Sequence, residues 1–471
     1  MGNVRKVTRN GDGDITSETT AVPGNRENAY QWEGAVTKYY YDREGNCIET
    51  SSPDGSSIHM RYDANGNLIK KSNPVLDRQC ASEENEDSIN SLPCTCYSYD
   101  AMGKLLKVTD PEGVQTEGYA YDLAGNPVRE WNGAAWTETE YSLTGQPLRK
   151  YEPVLEGEAG EILYRLTEYG YDQGDRLITE KRYAEYQRKG QAEGRHNTIT
   201  REYDSCGRLT RVSDSTGAES LYYYDKAGRL NEERNKVSEG IYRRKVYFLD
   251  ALGRIECMKE QAGEGAISVT RYEYTPSGKI KKIITPEGNT ILREYDASGR
   301  QTLERHTGTD GTDITYHYAY DASGNVTEET GPFGTTRHRY DKCQRETEVI
   351  QPEGSSYQIR YNPDGTEAEL LTADLLAAVR ETRISEKNRI QGYTFSYDKA
   401  GRRTKIYTPE GTVLEETHYQ GTRIAAKSFF GETTRYKRDL EGKLLQVQTP
   451  EGRSEERNCD ALNNQKTVII T

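Results

Sequence analysis

"RYDANGNLIK", residues 61–70, sets an aromatic, an Asp and, three residues beyond the Asp, a Gly ahead of a short apolar run. An Asp that opens a turn accepts hydrogen bonds from backbone N–H groups two residues on, and Gly supplies the left-handed conformation that closes a type I turn with a bulge. A side chain with a Cβ at that Gly would cost roughly 1–2 kcal/mol. The aromatics ahead of such turns alternate, as in "YSYD" at 97–100, "YHYAYD" at 316–321 and "FSYD" at 395–398. That is the period of a strand. The stretch reads as strand, tight turn, strand.

The same phrase returns as "REYDASGRQT" at 293–302, "AYDASGNVTE" at 319–328 and "SYDKAGRRTK" at 396–405. Turn-heading tyrosines are 21 residues apart at Tyr41 and Tyr62, Tyr203 and Tyr224, Tyr274 and Tyr295, and Tyr340 and Tyr361. Leu249, Arg438 and Cys459 stand where the Tyr is lost. A second turn punctuates the chain: "DPEG", "TPEG", "QPEG", "TPEG" and "TPEG" end at Gly113, Gly288, Gly354, Gly411 and Gly452. Pro in second place and Gly in fourth suit another type I turn. Seven or eight residues, one strand, lead from each of these glycines to the next Tyr-Asp turn. The unit is therefore strand, Tyr-Asp turn, strand, Pro-Glu-Gly turn, and the fold class is all-β, a repetitive antiparallel β-hairpin array. Tyr returning at equivalent positions predicts Tyr ladders along the sheet, each aromatic pair contributing roughly 0.2–1 kcal/mol. Twisted sheets seldom stay open beyond about ten strands, so an array of this length must coil or close.

An internal repeat overrides length as a guide to domains, and residues 1–471 read as one array. Three long steps mark insertions at loop tips. The segment 72–98 carries the acidic "CASEENEDSINSLPC"; 366–392 carries "TADLLAAVRETRI", which reads as a short helix over 372–384 capped by Thr372; and 182–197 is the charged "RYAEYQRKGQAEGRHN". "GNVRKVT" at 2–8 has the form of the post-turn "GNLIKKS" at 66–72, and "CDALNNQKTVIIT" at 459–471 stops inside a unit. The expectation is an array truncated at both ends.

Apolar residues make up 33% of the chain and charged residues 30%, a balance that leans toward disorder, but 36 Tyr against 5 Phe and 3 Trp favour half-buried strands. With 63 basic and 76 acidic residues the net charge is -13, which speaks against a phosphate-backbone partner and so against nucleic acid. No run is long and apolar enough for a membrane span, and the first twenty residues lack the apolar core of a secretory signal.

No catalytic, cofactor-binding or metal-ligating residue stands out. The six His (His59, His196, His306, His317, His338 and His418) show no i, i+4 pair of the zinc-protease kind. Asp and Glu recur because the turns use them. Cys80, Cys94 and Cys96 are one ligand short of structural zinc, and the eight Cys read as unpaired thiols. "NGDGDI" at 10–15 begins like a calcium loop, but Ile15 stands where that loop needs Gly and Ala21 where it needs Glu, so it reads as a polar turn.

The repeated units "YDANGNLI", "YDSCGRLTRVSDSTGAESLYYYDKAGRL" and "YDASGRQTLERHTGTDGTDITYHYAYDASGNVTEE" resemble the RHS or YD-repeat family, which includes Rhs polymorphic toxins, Tc-toxin C subunits, wall-associated bacterial proteins and teneurins. The resemblance runs from Gly2 to the end. It implies a spiralling hairpin sheet closed into a hollow, cocoon-like shell, non-catalytic itself and without cofactors. Bacterial members enclose a toxic C-terminal segment for delivery. The implied partners are that toxin or effector segment and adjoining YD repeats, and the implied location of the parent protein is secreted or at the cell surface. The cleavage signature and toxin domain that follow the family's shell have no match in "RSEERNCDALNNQKTVIIT". The alternative is an extracellular adhesion or glycan-binding array, for which the three Trp (Trp32, Trp131 and Trp136) are few.

Overall fold

The computed structural model describes residues 5–20, 36–76, 89–156, 160–373, 391–459 and 465–470. They form one sheet of 38 strands, from β1 (Arg5–Arg9) to β38 (Gln465–Ile470). Each strand pairs antiparallel with the strands before and after it, as at Tyr62↔Leu68 and Lys107↔Gly118. Every pair of elements in substantial contact is a pair of successive strands. The fold is thus a single layer, with no second sheet or helix layer packed on either face among the described residues.

The turns are built as the spacing predicts. At Asp63 the Asp63 amide donates to Asn67 O at 2.9 Å and the Gly66 amide to Asp63 O at 3.0 Å, with Gly66 at φ 81°. The ladder shifts register by one at Arg61/Tyr62, the bulge that such a turn requires. Tyr-Asp turns follow odd-numbered strands and the Pro-Glu-Gly kind follow even-numbered ones, so each kind occupies its own edge of the ribbon. "NGDGDI" is one of these turns: Asn10 Oδ1 accepts from the amides of Asp12 and Asp14 at 3.1 and 2.8 Å.

Buried apolar side chains are scarce. With Pro153, eleven lie in the interior among the described residues, and four of them, Tyr151, Tyr164, Leu166 and Tyr183, form one cluster. The cluster belongs to β12 (Pro147–Glu156), β13 (Ile162–Tyr171) and β14 (Leu177–Tyr183). It exists because the charged segment after β14 folds back over the sheet instead of standing off at a tip: Tyr164 and Gln187 exchange two backbone hydrogen bonds of 2.8 Å. The segment after residue 72 does likewise, with Ser57 and Val75 exchanging bonds of 2.7 and 2.9 Å over buried Glu49, His59 and Ser72.

The ribbon coils on itself. Turns of the later part meet residues 276 to 326 positions earlier: Arg345 Nη2 lies 3.0 Å from Asp54 Oδ2, Glu112 accepts from the Lys399 amide at 2.6 Å, and Arg165 donates to Glu441 at 2.5 Å. In strand terms the offset is 23, since the turn at Asp54 follows strand 4 and that at Arg345 follows strand 27. The same offset relates Asp110 to Arg402 and Asn132 to Arg423. It is odd because a Tyr-Asp edge always lands on a Pro-Glu-Gly edge. With strands about 4.8 Å apart, 23 of them span roughly 110 Å, a coil about 35 Å across. The result is a spiral, hollow wall whose coils close edge to edge, while β1 and β38 remain unpaired with each other.

Two expectations need correction. Thr372 is no helix cap: it pairs with Gln391 in the ladder between β30 (Glu367–Ala373) and β31 (Gln391–Tyr397). Residues 374–390, the rest of the expected helix, lie outside the described residues, as do 77–88 of the acidic insertion, after which Ile89–Ser91 forms a 3-10 turn and Cys94–Tyr99 a strand. The Tyr ladder is the second correction, and its reason lies in the wall chemistry.

Candidate functional site: the wall and its seam

The repeated working part is a clamp of four residues along the Tyr-Asp edge. Asp204 Oδ1 accepts from the amides of Cys206 and Arg208 at 2.9 Å each, and Asp204 Oδ2 accepts from Arg208 Nε at 2.7 Å. Arg208 then lies over the ring of Tyr224 in the next unit, 4.8 Å from its centroid, and Tyr224 Oη donates back to Leu209 O at 2.7 Å. Arg254 over Tyr274, Arg300 over Tyr320 and Arg345 over Tyr361 repeat the arrangement. A guanidinium therefore sits where a neighbouring Tyr ring was expected, and the ladder is Tyr alternating with Arg or Lys. The residue after the turn Gly does this work where it is Arg, as in "GRLT" and "GRQT", or Lys, as in "GKLL", whereas Asn in "GNLI" and "GNPV" bonds the turn Asp. That regularity was present in the sequence, but turn geometry alone gives it no role.

The clamp fixes charge. The Arg208 amide and guanidinium hold the Asp204 carboxyl below its ordinary range. Burial, followed by the hydrogen bond to Glu168, pushes Tyr183 up to about 12. Asp439 goes the other way. It occupies the same turn position, but there the turn is buried against the earlier coil, and desolvation raises its carboxyl.

That buried contact is the seam between coils. The Leu440 amide donates to Val154 O at 2.9 Å, Asn132 Nδ2 donates to Leu440 O at 3.1 Å, and Arg402 Nη1 stands 3.8 Å from Asp110. Between these contacts the seam leaves polar cavities, one of about 430 Å³ lined by Glu112, Asp398, Arg402 and His418.

The structure places the histidines apart from one another. The six His sit on six different strands: His306 and His338 each lie 2.7 Å from a Glu, and His317 is exposed. The described residues contain no cluster of His, Cys, Asp and Glu fit for a metal, and Cys47, Cys94, Cys96, Cys206, Cys257 and Cys343 are free thiols. Trp131 and Trp136 meet edge to face at 5.6 Å across Gly118, where a Cβ would come within 3.0 Å of both. They fill the gap left by that glycine. Trp32 lies outside the described residues.

The chain is similar to known proteins in sequence and in structure. The RHS Repeat family model matches residues 33–75, 99–135 and 320–356. The chain is 24% identical over 252 residues to double-stranded DNA deaminase toxin A of Burkholderia cenocepacia, covering 53% of this chain and 14% of that protein. It is 32% identical over 99 residues to tRNA nuclease WapA of Bacillus subtilis, covering 21% and 4%. A solved structure of the Photorhabdus luminescens Tc holotoxin pore aligns with all of this chain and 31% of its own, at 12% identity and a TM-score of 0.46. The chain thus corresponds to a small part of each curated relative. It carries RHS repeats at residues 33–75, 99–135 and 320–356, within one coiled hairpin wall.

Proposed function

We propose that this wall encloses another polypeptide segment, the C-terminal toxin or effector of the parent protein, and shields it until delivery. The carrying observation is the single-layer sheet that docks its own edges at an offset of 23 strands and leaves an interior that the described residues do not fill. Half of the usual 10 Å sheet spacing, taken off on each side, leaves about 25 Å of free width in a coil about 35 Å across. A folded 100-residue domain, with a radius of gyration of about 13 Å, is wider than that. The cargo is therefore an extended or unfolded chain.

The face that carries the turn-heading tyrosines lines the lumen in this reading. Both back-folded segments, at 73–76 and 184–195, lie on the opposite face, where there is room for them. The wall itself performs no catalysis; the deaminase and nuclease activities in the relatives' names belong to other parts of those proteins. Delivery places the parent outside the cell or on its surface. No helix among the described residues is long and apolar enough to cross a membrane. A glycan-stacking role is less well supported, because the Trp131–Trp136 pair is spent on packing over Gly118.

The test is protection. A protease site carried in a flexible segment fused after Thr471 resists cleavage while the wall is folded and is cut once it is denatured. Equal cleavage in both states overturns enclosure. Single cysteines at Tyr318 and His317, adjacent positions on opposite faces, separate the two surfaces: with cargo present a bulky thiol reagent labels position 317 and spares 318.

A further inference from the structure

On the face turned away from the turn-heading tyrosines, the wall commonly sets a carboxylate against an arginine. Arg129, Arg149, Arg337, Arg339 and Arg360 each stand opposite a Glu in the ladder, at 2.8 to 3.1 Å. The strands β20 (Ile255–Ala262) and β21 (Ser268–Tyr274) differ. Lys259 stands between Val246 and Val269, and Arg271 between Cys257 and Ile284, so both cations have apolar neighbours on either side. Both are exposed, and neither has an ion pair among the described residues. Lys259 Nζ lies 5.0 Å over the ring of Phe248, which is itself 46% exposed. Glu273, two residues on from Arg271, stands opposite Lys282. The neighbouring unit shows what is missing here: the Glu232 carboxylate accepts from Arg234 Nε at 2.6 Å and from Arg244 Nε and Nη2 at 2.6 and 2.8 Å.

We propose that the Lys259–Arg271 patch docks an acidic polypeptide segment of a partner protein, whose carboxylates take the place beside these cations that Glu232 takes beside Arg234 and Arg244. By register, Lys259 and Arg271 are diagonal neighbours on adjacent strands, roughly 7–8 Å apart, and the same diagonal runs on to Arg244. Alternate side chains of an extended chain lie roughly 6.6–6.8 Å apart on one face, so a segment with Glu or Asp at every second residue matches this line. A nucleic acid would bring a phosphate at every residue to a chain of net charge -13, whereas such a peptide carries charge only where the cations stand. The patch lies mid-strand on a sheet face with both neighbouring strands in place, and it holds whether or not the opposite face encloses cargo.

Fluorescence anisotropy of a labelled peptide alternating Glu and Ser, titrated with the full chain, tests this. The peptide should bind, and its counterpart with Gln for Glu should not. Lys259→Gln with Arg271→Gln should weaken binding by about tenfold or more, as expected for the loss of two charge-assisted contacts. Arg337→Gln with Arg339→Gln takes the same charge from the same face at positions that already have a Glu, and should leave binding unchanged. Lys259→Arg with Arg271→Lys keeps both charges and should retain it. An unmodified chain that does not bind the peptide overturns the proposal, and so does an equal loss in the two Gln variants, which would make the attraction a property of the whole surface. Tighter binding of phosphatidylserine vesicles or of a single-stranded oligonucleotide than of the peptide overturns it as well, by giving the patch to a membrane or to nucleic acid.

Discussion

The wall between β12 and β14 and the wall between Thr290 and Tyr320 are made of the same hairpins, yet only the first has an interior. There, the segment after β14 covers one face, the turn at Asp439 covers an edge, and Leu166 reaches 0% exposure. From Thr290 to Tyr320 no described side chain is buried; strand pairing and the Asp296–Arg300–Tyr320 clamp hold the wall. The repeat therefore does not need a core to be a wall. The cluster of Tyr151, Tyr164, Leu166 and Tyr183 appears where the chain folds back on itself.

The largest test of that contrast is truncation. Leu166→Ala should cost about 2–5 kcal/mol, the usual range for a fully buried Leu. Ile291→Ala, on a half-buried position of the bare wall, should cost less than half as much, since less apolar surface leaves water on folding. Denaturant midpoints of the two variants measure the difference, and equal costs would erase the distinction. Next comes Gly299→Val. Gly299 has φ 80°, and an added Cβ would meet Lys279 Nζ at 2.7 Å, so a loss of about 1–2 kcal/mol is expected. Amide exchange should speed up from Tyr295 to Glu304 and remain unchanged at Leu166, because stability in an array is largely a nearest-neighbour property. Tyr320→Phe isolates one arm of the clamp. It keeps the ring under Arg300 and loses only the 2.6 Å bond to Gln301 O, for about 0.5–1.5 kcal/mol. Exchange at the adjoining hairpins reads it.

Strand, turn and period could be read in the sequence because they are local: Gly three residues after Asp, alternating aromatics, and even Leu249, Arg438 and Cys459 in place of Tyr mark the strand ends found in the structure. The roles of Arg208 and Arg300 were harder to read, because each guanidinium serves two turns about 20 residues apart. Nothing local announces the seam. Arg345 meets Asp54 only because the accumulated curvature of 23 strands brings them together. The back-folding of 184–195 is equally non-local: the charge in that segment reads as a solvated tip, whereas Gln187 bonds Tyr164.

The smallest expected effect sharpens the comparison at one turn position. Asp204, on the bare edge, has its carboxyl lowered by the backbone and side chain of Arg208, so its contribution is present above the unfolded value of about 3.9 and is lost as pH falls through the folded value. Asp439, buried in the seam, has its carboxyl raised by desolvation, so its contribution is present below about 3.9 and is lost as pH rises through the folded value. At neutral pH the two substitutions should therefore move stability in opposite directions. Asp204→Asn removes a charged acceptor from Arg208 Nε and destabilises. Asp439→Asn keeps an oxygen for the Lys443 amide, removes a buried charge and stabilises. Both differences should shrink at pH about 3, where the carboxyls take up protons in the unfolded chain as well. Melting temperatures of the two variants at both pH values decide the matter, and shifts of the same sign at neutral pH would mean that covering the edge does not change what the turn Asp does.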